Sequence, residues 1–389
     1  LAHGQSYTLT SPSKKINITI IPGERTKFSV SLNNDVVIQT SDIGLQTGSS
    51  ASKAWKPGKA RTSTSDKTIY PVVPEKFSKI RDNYNQIDIP FTNGVTLTFR
   101  AYDNGIAYRW QTSFRDSQKI FNEILDIGFD GADTAWYPSE TGFYSHNERV
   151  YRKYAIRDLN GDSLASLPVL INHTGTNILL SESDLLDYPG MWVTGSDGAG
   201  LKAVFPAYPL EESARGDRDV RVTGTADYIA NTKGNRTFPW RAFLISDDDA
   251  GLLDNTLIYQ LASGAEATAG DFTWVKPGMV AWDWWNALNI DGVDFVSGVN
   301  TETYKYYIDF ASEYGIEYII LDEGWSPTTD ITKPVGDIDM PALVKYAGEK
   351  NVGIILWVLW TSLDRQMEEA LDLYSQWGIK GIKVDFMQR

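Results

Sequence analysis

Residues 378–389 read GIKGIKVDFMQR, which predicts a short buried strand from Ile379 to Val384 that delivers one carboxylate, Asp385, at its C-terminal end. Three earlier stretches share this build: GMVAWD at 278–283, EYIILD at 317–322 and NVGIILW at 351–357. Each is apolar, largely β-branched and closed by an acid or an aromatic, which predicts buried strands. Between them the apolar spacing predicts helices over about 301–314, 340–350 and 362–377. Pro341 suits the first turn of its helix, and Gly315, Asn351 and Gly378 suit C-terminal caps. Strand and helix in alternation predict parallel β/α units, whose chemistry gathers at the strand C-termini. Four such units are half of a (β/α)8 barrel, which usually takes about 250 residues. Only 119 residues follow position 270, so the chain is expected to continue past Arg389. A smaller open sheet is the alternative.

Upstream the pattern changes. From Tyr7 to about Ser246 the chain is read as nearly all β, with alternating runs at 16–21, 27–32, 36–40, 95–102 and 105–110. Turn signals separate them: Pro22-Gly23, Asn33-Asn34, Asn93-Gly94 and Asp103-Asn104-Gly105. Further strands are expected near 167–171, 177–181, 203–206, 219–223 and 239–245. Short strands at this spacing predict a large sandwich. The polar stretch Gly48 to Asp66 reads as a loop or an irregular edge. Asp247-Asp248-Asp249 supplies N-cap candidates for one connecting helix over Ala250 to Ala262. The expected organisation is a sandwich domain at 1–246, a helical linker at 247–270 and the first half of a barrel at 271–389.

A chain of 389 residues is long enough for two cores, and 42% apolar content excludes a disordered chain. The net charge of -14 disfavours nucleic acid and anionic membrane as partners, because both repel an acidic surface. No run approaches the roughly 20 apolar residues of a membrane helix, and no signal-peptide core begins the sequence. Zero cysteines remove disulfides, thiolate metal sites and thiol nucleophiles. Thirteen Trp and 20 Tyr supply flat apolar faces with polar handles, which suit sugar rings and also the cores of large sandwiches.

At the strand ends the sequence places Asp283, Asp322, Glu323 and Asp385 among Trp282, Trp284, Trp285, Trp325, Trp357 and Trp360. Carboxylates ringed by indoles suit glycoside cleavage, where acids stabilise or attack an oxocarbenium-like centre and aromatic faces stack on the ring. The plainer reading is that the aspartates cap the following turns. Lys383, two residues before Asp385, shares its face of the strand. It either contacts a sugar hydroxyl or makes an ion pair inside the sheet.

The runs MVAWDWWN at 279–286, LDEGW at 321–325 and GIKVDFMQR at 381–389 resemble glycoside hydrolase family 97, as do WYPSETGFYSHNERVY at 136–151 and LLSESDLLDYPGMW at 179–192. The LDEGW and KVDF signatures are similar, more distantly, to retaining α-galactosidases. The resemblance implies a β-supersandwich, a (β/α)8 TIM barrel and a small C-terminal sheet, in a bacterial periplasmic or secreted enzyme. It implies a retaining exo-glycosidase acting on an oligosaccharide to release α-galactose or β-L-arabinopyranose. Asp385 would be the nucleophile, and Trp282, Asp283, Trp284, Asp322, Glu323, Trp325, Trp357 and Lys383 would contact substrate. The Glu acting as acid/base is expected later in the barrel. The resemblance also implies calcium beside the substrate, with Glu182 as the candidate ligand and Glu140 and Glu148 behind it. Two alternatives stand: an inverting α-glucosidase of the same family, with Asp385 a bystander, and a non-catalytic carbohydrate-binding protein. Oligomeric state has no signal.

Overall fold

The computed structural model describes residues 5–48, 55–71, 76–196, 198–263 and 274–387. The chain divides into two compact units, Leu1–Leu210 with Gly224–Phe272, and Glu211–Thr223 with Thr273–Arg389.

Among the described residues, the first unit holds two antiparallel sheets, one of eight strands and one of ten. Strict alternation makes them: in Ile16–Ile21 the side chains of Ile16, Ile18 and Ile20 are buried, and the intervening residues are not. The neighbouring Thr26–Leu32 pairs Ile18 with Val30 and Ile20 with Phe28. Phe28 meets Phe99, Tyr108 and Phe243 of the other sheet at 5.6, 6.2 and 6.1 Å between ring centroids. These four rings belong to one buried cluster shared by both sheets. The hairpin Val95–Tyr102 to Gly105–Ser113 forms as its turn residues predict. Gly105 is required there, since a Cβ would lie 2.3 Å from the Phe243 carbonyl.

Three expectations for this unit change. The later part of the Gly48 to Asp66 stretch is a regular edge strand, Arg61–Ile69, paired along its length with Ile80–Pro90. Its Ser, Thr, Lys and Arg side chains suit an edge that must not recruit another strand. The single helix over Ala250 to Ala262 is two short ones, Asp249–Leu253 and Leu257–Leu261. Asn255 breaks them apart, donating to the Asn104 carbonyl at 2.7 Å and accepting the Leu257 N–H at 3.0 Å. Leu257 and Leu261 pack on Tyr102, Ala107, Trp240 and Leu244, so this segment is part of the first unit's core rather than a linker. The boundary expected near Gly270 lies outside the described residues. The third change concerns the hairpin Pro209–Arg215 to Asp219–Thr225, whose residues Glu211–Thr223 group with the second unit.

The second unit carries four parallel strands in chain order: Val280–Trp282, Tyr318–Leu321, Gly353–Leu359 and Gly381–Asp385. Helices Thr301–Tyr314, Met340–Glu349 and Trp360–Trp377 connect them. Asn300 starts the first by accepting the Thr303 N–H at 2.9 Å, and Gly315 ends it in left-handed backbone. Tyr304, Tyr307, Ile308 and Ala311 form its buried face. Asp339 caps the second helix through Ala342 N–H, with Pro341 in the first turn. Ile319, Leu321, Ile354, Leu356 and Val358 fill the core between sheet and helices.

Candidate active site

In the fourth strand, Lys383 and Asp385 lie on one face, and the register sets Trp357 beside Lys383. All three meet at the Asp385 carboxylate. Its Oδ2 accepts from Lys383 Nζ at 2.5 Å and from Trp357 Nε1 at 2.9 Å, and its Oδ1 accepts the Phe386 N–H at 2.8 Å. Phe386 reaches this position with φ +55°, a region bulky residues rarely occupy. Burial works against the charged carboxylate, but the bonds from Lys383, Trp357 and Phe386 outweigh it and hold the group below the usual aspartate range.

Asp322 ends the second strand. Its Oδ2 accepts from Trp282 Nε1 at 2.6 Å and from Lys383 at 3.5 Å, while Oδ1 accepts the Glu323 N–H at 2.8 Å. Lys383 therefore bridges two carboxylates, and its ammonium lies 4.9 Å from the centre of the Trp282 ring. Trp282 in turn stacks with Trp284 and Trp285 at 5.0 and 6.1 Å between centroids. The last two are 61% and 78% exposed, so this stack carries open aromatic surface.

The remaining expected residues take other positions. Asp283 is buried, its Oδ2 accepting from Tyr304 Oη at 2.7 Å and from the Asp322 N–H at 3.2 Å. It holds the backbone of Asp322, and its Oδ1 is buried without a protein partner. Burial raises the Asp283 carboxyl above its usual range, against the Tyr304 and Asp322 bonds. Trp325 is fully buried, donating Nε1 to the Trp357 carbonyl at 2.7 Å and meeting Tyr374 edge-on. It fastens the second strand to the third and presents no face to a ligand. Trp357 is nearly as buried and serves through its N–H. Trp360 donates to the Arg218 carbonyl at 3.4 Å, and Arg218 takes both oxygens of Glu323 at 2.7 and 3.1 Å. Sequence reasoning missed Arg218 and Tyr304. Nothing in the run SARGDRDV sets its arginines apart, and Tyr304 reads as one more apolar position on a helix.

Asp283→Asn is expected to raise the unfolding temperature relative to wild type at neutral pH, and the gain should shrink as pH falls toward 4. A carboxyl whose folded pKa is raised contributes stability below its unfolded pKa and loses it as pH rises through the folded value. Thermal unfolding of both proteins at two pH values checks this. A gap that widens on acidification would contradict it.

Residues 9–263 match the family model described as Glycosyl-hydrolase 97 N-terminal, and residues 284–389 match Glycoside hydrolase 97. The chain belongs to glycoside hydrolase family 97. It is 36% identical to a retaining alpha-galactosidase of Bacteroides thetaiotaomicron over 99% of this chain and 60% of the relative. A probable retaining alpha-galactosidase of Streptomyces bingchenggensis is 26% identical, over 99% and 59%. The family 97 chain thus spans about three fifths of the length of the curated relatives it matches. Among solved structures, a family 97 enzyme of a Pseudoalteromonas species in complex with acarbose superposes with a TM-score of 0.82 at 23% identity, covering 98% of this chain and 59% of that one. A beta-arabinopyranosidase does so at 0.79 and 21%, covering 98% and 62%. These two show a shared fold.

Of the three glutamates that the resemblance offers to calcium, Glu182 and Glu140 are engaged by arginines in this family 97 chain. Glu182, in the first unit, accepts at Oε2 from Arg241 Nη1 at 2.5 Å, and both its oxygens accept the Met191 N–H at 3.3 Å. Glu140 is engaged by Arg149, Ser145 and Ser166, and Glu148 is exposed beside His146. Among the described residues no group of three or more acids or histidines is arranged to hold a metal ion. Calcium favours six to eight oxygens, so Glu182 would be one donor of a shell whose other ligands the resemblance places later in the barrel.

Proposed function

We propose that this family 97 chain belongs to a retaining exo-glycoside hydrolase that releases terminal α-galactose, or the stereochemically matching β-L-arabinopyranose, with Asp385 as nucleophile. The observation that carries the reading is the Asp385 carboxylate itself, at the C-terminal end of the fourth parallel strand and held by Lys383, Trp357 and the Phe386 N–H. A nucleophilic carboxylate must be ionised when substrate arrives, and these donors favour that state. The name of the 36% identical relative supports the same reading. The second sugar enters because a structural neighbour is a beta-arabinopyranosidase, and the two rings differ only in the exocyclic hydroxymethyl group.

In the first step an Asp385 oxygen bonds to the anomeric carbon as the bond to the leaving oxygen breaks. The electron pair departs with that oxygen, which takes a proton from an acid. Water then attacks the same carbon, giving its proton to the base now present and freeing Asp385. Two inversions give retention. Lys383 holds Asp385 and Asp322 in one frame, Asp322 and Glu323 accept sugar hydroxyls, and the Trp282, Trp284 and Trp285 stack offers a ring face. The same proposal includes a second carboxyl group about 5–5.5 Å from Asp385, and closure of the four strands within an eight-stranded barrel.

The deciding measurement follows the anomer released from an aryl α-galactoside by proton NMR before mutarotation. The α-anomer is expected first. An initial β-anomer would overturn the retaining reading and favour inversion, with water attacking directly.

A further inference from the structure

We propose that Arg218 is a positioning residue for both arms of the site, setting Glu323 on one side and the Asp385 segment on the other. Arg218 sits at the tip of the hairpin Pro209–Arg215 to Asp219–Thr225, far from the strand ends in sequence. Its guanidinium forks onto Glu323 at 2.7 and 3.1 Å and, through Nε and Nη2, onto Asp217 at 3.0 and 3.2 Å. Those bonds use four of its five N–H donors, which makes it a fixture rather than a ligand for sugar. The tip is itself anchored. The Asp217 carboxylate accepts the Thr328 hydroxyl at 2.7 Å, the Asp217 carbonyl accepts from Thr361 Oγ1, and the Arg218 carbonyl accepts from Trp360 Nε1.

The guanidinium also lies 4.8 Å from the centre of the Phe386 ring. Phe386 packs edge-on to Trp357 at 6.3 Å between centroids, and its N–H is one of the three donors that orient Asp385. Removing Arg218 therefore frees Glu323 to rotate, and it removes the cation that covers Phe386 in its left-handed conformation. A bidentate fork holds a carboxylate plane as a lysine ammonium cannot.

This inference rests on the proposed glycosidase reading. The test uses the full-length enzyme with an aryl α-galactoside, comparing wild type, R218A, R218K, E323Q and R218A/E323Q in steady-state kinetics and thermal unfolding. R218A is expected to lower kcat/KM by about 10–100-fold, the range misplacement of a reacting group produces, with the loss mainly in kcat. R218K should recover little, millimolar guanidinium should partly restore R218A, and the two substitutions should be non-additive in both kinetics and unfolding temperature. Full rescue by lysine, or a loss confined to unfolding temperature, would overturn the proposal. If wild type cleaves no α-galactoside, the functional reading fails on its own. The clamp is then judged by unfolding temperature, where additive shifts overturn it.

Discussion

Replacing Asp385 by glycine in the full-length enzyme should lower kcat/KM for an aryl α-galactoside by about 10^4–10^6-fold, the scale on which removal of a covalent nucleophile acts. The change leaves room where the carboxylate stood, against the Trp357 indole and the Lys383 ammonium. Added azide can occupy that room and attack the anomeric carbon. The product is then β-galactosyl azide, the outcome of one inversion in place of two. Formation of that azide would assign the nucleophile by chemistry as well as by loss of rate. Activity close to wild type in the glycine variant would remove Asp385 from the mechanism and return the inverting reading.

The second large effect is on stability and lies in the other unit. Arg241, fully buried, forks onto Glu123 at 2.7 Å for both bonds and also binds Glu182, joining the ten-stranded sheet to the eight-stranded one. Arg241→Met is expected to destabilise the protein by about 3–5 kcal/mol, because two carboxylates would be left without their cation in a low-dielectric core. The deficit should grow as pH rises: burial raises the Glu182 carboxyl against the pull of Arg241, and without that guanidinium the stability such a group contributes is lost as pH passes the folded value. Adding Glu123→Leu should recover part of the loss, since an apolar pair carries no desolvation penalty. Denaturant unfolding of the three proteins checks both statements. A single variant within about 1 kcal/mol of wild type would show that water reaches Glu123.

Local rules made the α/β unit legible. Asn300 and Gly315 bound the helix Thr301–Tyr314 at its expected ends. The third strand was displaced to Gly353–Leu359, because Asn351 adopts left-handed backbone and spends itself ending the helix before it. The carboxylates at the strand ends were legible for the same reason, since a strand's end carries its next side chains to one edge of the sheet. Burial was not legible. Gly324, at φ +121°, turns the chain between Glu323 and Trp325, so neighbours in sequence part into a surface acid and a core indole. Likewise Glu182 reads as a free oxygen donor until Arg241, 59 residues away, is folded against it. Arg218 is the extreme case, 105 residues from Glu323 with no periodic pattern linking them.

The discontinuous makeup of the second unit bears on how family 97 proteins could be recombined. A chimera joined at a single crossover after residue 263 would take residues 274–387 from one parent and Glu211–Thr223 from the other. Arg218, Asp217 and their partners Glu323, Thr328, Thr361 and Phe386 would then come from different ancestors. Such proteins should fold both units yet lose activity unless the hairpin travels with the sheet it serves. Swapping specificity between members therefore calls for two grafts, one short and one long, made together.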